Sequence, residues 1–121
     1  MKKIAIIDDE YEILDVLEKF LGRSEKFEID TFANPNNAMS KLKSGYYDLV
    51  LLDIMMPDAD GIEILEEIKK ENPNVAVIMM TAYSTMDKTI KSNKIGADDY
   101  LTKPFVSLRD VENKVLDKLG L

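Results

Sequence analysis

The chain contains no cysteine and no histidine. Without cysteine there is neither a disulfide framework nor a thiolate metal site. Without histidine, Ser-His-Asp and Cys-His catalysis, imidazole metal ligation and a phosphohistidine of its own are excluded. Positive charge is also in deficit: 16 Lys and Arg stand against 23 Asp and Glu, a net charge of −7. A nucleic-acid binder needs a basic patch to displace counterions from phosphates, and none is visible, so direct nucleic-acid binding is not expected. Long apolar runs are missing as well. None approaches the roughly 20 residues of a membrane span, and the apolar stretch after Met1-Lys2-Lys3 is too short for a signal peptide. The expectation is a cytoplasmic protein without a membrane partner. Its chemistry must run on carboxylates, lysine, hydroxyls and a hard metal ion.

The 121 residues are 45% hydrophobic and 32% charged, which suits one globular domain over residues 1–121. At its centre, Leu49-Val50-Leu51-Leu52 runs straight into Asp53. A short continuous apolar run bounded by turn signals, here Pro57 and Gly61, predicts a strand buried on both faces of a parallel sheet. Residues 3–7 predict a first strand that ends in Asp8-Asp9. Residues 11–24 carry Ile13, Leu14, Leu17, Phe20 and Leu21 at helical spacing. Residues 27–32 alternate apolar and polar, which predicts an edge strand with one wet face. Asn34-Pro35 reads as an N-cap and first helical position of a second helix running to about Ser44, stopped by Gly45.

Ile62, Leu65 and Ile68 mark a third helix that ends before Asn72-Pro73. Residues 75–80 predict the fourth strand, closing on Thr81. A fourth helix over residues 86–94 has only Met86 and Ile90 as large apolar residues and should be the most weakly held. Residues 99–102 form a short fifth strand, and Lys103-Pro104-Phe105 a turn. Ser107, with Asp110 three residues on, caps a last helix that buries Leu108, Val111, Val115 and Leu119. Alternating βα units fold as a parallel sheet covered on both faces with right-handed crossovers.

A parallel sheet gathers its strand C-termini along one edge, where ligands of open α/β sheets bind. Collected there are Asp8, Asp9, Asp53, Thr81 and Lys103. Singly, each has an ordinary reading as a cap, a turn residue or a solvated lysine. Together they do not. Two like charges 4 Å apart repel by roughly 4 kcal/mol at an effective dielectric of about 20. One lysine cannot balance three carboxylates, whereas a divalent cation can, and an all-oxygen set suits Mg²⁺ or Mn²⁺. A carboxylate nucleophile, a metal, an ammonium and a hydroxyl around one point meet the needs of phosphoryl transfer.

Asp8-Asp9, the loop from Asp53 to Gly61, Thr81-Ala82 and the run from Gly96 through Lys103-Pro104-Phe105 resemble, in order and over essentially the whole chain, the response-regulator receiver domain of two-component signalling. The resemblance implies a three-layer, flavodoxin-like (βα)5 fold with five parallel strands in the order 2-1-3-4-5. It implies that Asp53 accepts a phosphoryl group from a phosphohistidine of a histidine kinase or histidine phosphotransfer protein. Mg²⁺, or Mn²⁺ in its place, would be ligated by Asp9, Asp8 through water, Asp53 and the backbone carbonyl of Met55. Lys103 would pair with the acceptor and then the phosphoryl group, and the Thr81 hydroxyl would bond another phosphoryl oxygen. The Lys103-Pro104 bond would be cis. Thr81 and Tyr100 would switch together, changing the face built by the fourth helix, fifth strand and last helix. That face would contact a downstream protein target, with the chain monomeric or dimerising on phosphorylation. Tyr100 also has a plain reading, as a ring half-buried at the sheet edge.

Met55, which cannot hold an attacking water, and Tyr83 suggest slow self-dephosphorylation; Met55 has an equal plain reading, packed against the third helix or loop. Three other classes compete. A haloacid-dehalogenase-type phosphatase needs a second aspartate where Met55 stands. A flavodoxin-like cofactor binder needs a phosphate-cradling loop where Asp8-Asp9-Glu10 would repel phosphate. A receiver-like domain that signals without phosphorylation would not need the intact acid–lysine set. The expectation is therefore a switch rather than a turnover enzyme, either stand-alone or cut from a longer chain.

Overall fold

A computed structural model describes residues 1–57, 59–81 and 96–121. Five strands form the central sheet: β1 (Lys2–Ile7), β2 (Phe27–Phe32), β3 (Leu49–Asp53), β6 (Ala76–Thr81) and β7 (Asp99–Thr102). Between β3 and β6 lies a small antiparallel hairpin of β4 (Met55–Met56) and β5 (Ala59–Asp60). The sheet order is β2-β1-β3-β6-β7 and every pairing is parallel. With the hairpin set aside, this is the expected 2-1-3-4-5 arrangement. As the wet alternation predicts, β2 is an edge strand.

The strands fill two cores because successive side chains point to opposite faces. Ala5, Ile7, Val50, Leu52, Val77 and Met79 face one way, onto α2 (Met39–Lys43) and α3 (Gly61–Glu71). Ile4, Ile6, Leu49, Leu51, Ile78 and Met80 face the other way. There they meet α1 (Tyr11–Gly22) and the C-terminal helix (Leu108–Leu119). All five residues of β3 are buried. Each fully buried Leu or Ile contributes about 1.5–3 kcal/mol, so β3 is the axis of the molecule.

Several boundaries differ from expectation. The second helix is not continuous: Pro35–Asn37 form a 3₁₀ turn, and α2 proper has only five residues. Asn34 does cap this turn, its Oδ1 accepting from the Asn36 amide at 2.9 Å. Neighbouring asparagines compete with helical hydrogen bonding, which leaves the tighter i→i+3 pattern. The first helix stops at Gly22, two residues early, and the fourth strand runs from Ala76 through Thr81. In the C-terminal helix Val111 and Val115 are fully buried, whereas Leu108 and Leu119 are only partly so. Ser107 caps it, Oγ accepting from the Asp110 amide at 3.0 Å. The helix expected over residues 86–94, and Tyr83, lie outside the described residues.

Candidate functional site

Among the described residues, the buried polar or charged side chains are Asp8, Asp53 and Thr81, with 0%, 4% and 9% of their surface exposed. All three stand at the C-terminal ends of adjacent strands. Desolvating a carboxylate is costly unless something pairs with it. Here the partner is Lys103, whose Nζ lies 2.5 Å from Asp8 Oδ2, 3.3 Å from Asp53 Oδ2 and 3.5 Å from Glu10 Oε1. The lysine reaches them because β7 ends beside β6: the Lys103 amide donates to the Thr81 carbonyl at 2.8 Å. The Lys103-Pro104 peptide that follows is cis, as the resemblance implies.

The loops supply hydrogen bonds to the remaining oxygens. Asp8 Oδ1 accepts from the Glu10 amide at 2.9 Å, and Asp53 Oδ1 from the Met55 amide at 3.3 Å. These do not offset the crowding. Burial, followed by the charge of Asp8, pushes the Asp53 carboxyl up to about 7. Burial likewise raises Asp8, against the pull of Lys103. Burial works to lower Lys103, but its contacts with Asp8 and Asp53 outweigh that and raise it. The acids are thus held nearer to neutrality than free carboxylates, first because burial penalises their charged forms and then because one ammonium does not offset their summed charge.

A hard cation fits this donor set. Asp8 Oδ2 is fully buried and has no hydrogen bond of sound geometry, although the Lys103 ammonium touches it. Carboxylate oxygens of Asp8, Asp9 and Glu10 lie within 4.8 Å of one another. Oxygen ligands without nitrogen or sulfur suit Mg²⁺ or Mn²⁺. Asp53 is not in this tight trio and joins it through Lys103.

Thr81 ends β6 opposite Thr102, and Tyr100 lies opposite Met79 on β7. In a parallel pair these positions share one face, so Tyr100 sits diagonally beside Thr81. The tyrosine is half-buried against the core on the α3 side. Met55 is 52% exposed at the site's mouth. It does not pack away as a core residue would.

Two residues at this edge escape a reading by motif. Gly61 closes the loop that carries the resemblance and has no role assigned there, but a Cβ at this position would lie 2.3 Å from the Asp53 carbonyl oxygen and 2.7 Å from Ile54 Cα. Its missing side chain lets the first turn of α3 press against the end of β3, where its amide donates to the Ile54 carbonyl at 3.0 Å. Glu10 looks like a helix-start residue, yet its side chain makes no capping bond to α1 and points to Lys103 instead. For Gly61 its place at the end of the Asp53 loop was an available signal; for Glu10 there was none beyond its adjacency to Asp8-Asp9.

Comparison with known proteins gives a consistent result. The family model for the response regulator receiver domain matches residues 4–115. The transcriptional regulatory protein ResD of Bacillus subtilis (strain 168) is 40% identical over 113 residues, 93% of this chain and 46% of ResD. The transcriptional regulatory protein ZraR of Klebsiella oxytoca is 41% identical over 101 residues, 84% of this chain and 23% of ZraR. The chain thus spans half or less of the length of these relatives. A crystal structure of a CheY-like response regulator receiver domain protein from Methanospirillum hungatei JF-1 superposes with a TM-score of 0.91. The two are 35% identical, and the match covers 99% of this chain and 94% of that one.

Proposed function

The chain belongs to the response-regulator receiver family, and from that premise we propose that it takes a phosphoryl group onto Asp53 from a phosphohistidine of a histidine kinase or phosphotransfer protein. Membership carries phosphorylation-dependent signalling within a two-component system. The observation that carries the finer reading is the single ammonium of Lys103 shared by the buried carboxylates of Asp8 and Asp53.

Asp53 acts as the nucleophile. One of its oxygens forms a bond to phosphorus while the P–N bond of the donor breaks, and the electron pair returns to the imidazole nitrogen. Asp8, Asp9, Asp53 and the Met55 carbonyl are the residues that would hold Mg²⁺. Such a cation supplies positive charge that offsets the acids and the phosphoryl oxygens. Lys103 keeps Asp53 from being an isolated buried anion before transfer and bonds a phosphoryl oxygen afterwards. The Thr81 hydroxyl, at the end of the neighbouring strand, takes another.

Phosphorylation adds nearly two negative charges and three strong acceptors. Thr81 is drawn toward them, and Tyr100, its diagonal neighbour on β7, repacks into the space released. The surface around β7 and the C-terminal helix changes with it and is read by a protein partner. Because ResD and ZraR are transcriptional regulatory proteins, transcription is the process this switch serves. Exposed, apolar Met55 orders no attacking water, which makes the phosphoryl group slow to leave.

Incubation with Mg²⁺ and acetyl phosphate, read by intact mass, tests the proposal. The expected result is one added phosphoryl group that is lost in Asp53→Ala. An unmodified wild-type chain would sink it.

A further inference from the structure

Glu10 occupies the residue before α1 with extended backbone, φ −91° and ψ 110°. A short polar side chain at this position accepts from an amide of the first turn, and the helix dipole rewards a negative charge there. The Glu10 side chain makes no such bond. It reaches across to Lys103, 93 residues away, at 3.5 Å. An ammonium carries three donors, and Lys103 has three carboxylates around it, with Glu10 the most distant. Glu10 is also the exposed one: 60% of its side chain is accessible, against 0% for Asp8 and 6% for Asp53. It can therefore turn at little cost. Its carboxylate already lies within 4.8 Å of those of Asp8 and Asp9, beside the buried Asp8 oxygen that lacks an aligned hydrogen bond.

We propose that Glu10 is a positioning residue, its carboxylate exchanged between the Lys103 ammonium and the water shell of a divalent cation held by Asp8 and Asp9. This rests on the reading of the acidic edge as a cation site and adds to it a residue that does not ligate directly. While the site is free of metal, Glu10 is the third arm on Lys103. Once a cation is bound, Glu10 turns to its waters, and Lys103 is left with one partner fewer and is freer to follow a phosphoryl oxygen.

Titration of Mg²⁺ alone into the wild-type chain, Glu10→Gln and Glu12→Gln, by calorimetry at pH 8 in moderate salt, tests this. Glu12 lies in the first turn of α1, carries the same charge and is not part of the carboxylate trio. Glu10→Gln is expected to weaken Mg²⁺ binding roughly three- to tenfold, the size of a partly screened contact with a dication. Glu12→Gln should stay within about 1.5-fold of wild type, as one exposed charge farther off does. Equal weakening by both substitutions would reduce the effect to overall charge and overturn the proposal. So would Glu10→Gln binding as tightly as a wild type that binds. Wild type failing to bind at millimolar Mg²⁺ would remove the cation site as well, which distinguishes that failure from one confined to Glu10.

Discussion

Lys69 and Lys103 are nearly equally buried, 13% and 14% exposed, and each reaches across the fold to a carboxylate. Lys69 Nζ donates to the Val75 carbonyl at 2.6 Å and to Asp98 Oδ2 at 2.9 Å. The same Asp98 oxygen accepts from the Val77 amide at 2.8 Å. One positive charge meets one negative charge, and each partner is hydrogen-bonded, so the node ties the end of α3 to β6 and to the chain entering β7. Lys103 meets three carboxylates, two of them buried, which leaves surplus negative charge in the crevice. Burial does not distinguish the two lysines. The count of opposing charges does.

The largest effect is expected from Lys103→Met. Removing the ammonium strands two buried carboxylates and should cost about 3–5 kcal/mol in metal-free protein at pH 8. Chemical denaturation should show most of the loss recovered by millimolar Mg²⁺ or by lowering the pH toward 5. A loss indifferent to both would mean that the lysine works by packing alone.

Asp53→Asn should move stability the other way. The folded-state carboxyl is raised to about 7 from an ordinary 3.8, so its stabilising contribution is fully present below pH 3.8 and is lost as pH rises through about 7. Asparagine carries no such loss. Its advantage over wild type should therefore grow between about pH 4 and pH 7 and level off above, reaching about 2–4 kcal/mol without metal. Paired urea titrations across that range check it, and a flat difference would refute the raised carboxyl.

Lys69→Met should give the smallest change, about 1–2 kcal/mol, because Asp98 is partly exposed and the pair is electrically balanced. That loss should not respond to Mg²⁺. A Mg²⁺-sensitive loss would erase the distinction between the two lysines.

Much of this arrangement can be read from the chain in order. Leu49 to Leu52 announce a strand buried on both faces, and the parallel sheet that follows from alternating βα units sends Asp8, Asp53, Thr81 and Lys103 to one edge. The β4–β5 hairpin and the division of the second helix were not legible, because both depend on small differences in local hydrogen bonding. Glu10 was hidden for another reason. Its neighbours in sequence suggest a helix start, while its partner is 93 residues distant. Gly61 was visible as a turn residue, but the closeness of the Asp53 carbonyl that forbids a side chain is a through-space fact.

Order along the chain was enough to establish the alternating elements, the apolar faces and the inventory of acids, one hydroxyl and one lysine available for chemistry. It could not say which acids share that lysine, which of them is raised toward neutrality, or which glutamate leaves its helix to join them. Those outcomes belong to folded space, because desolvation and Coulomb energy depend on distances between residues that the backbone keeps far apart.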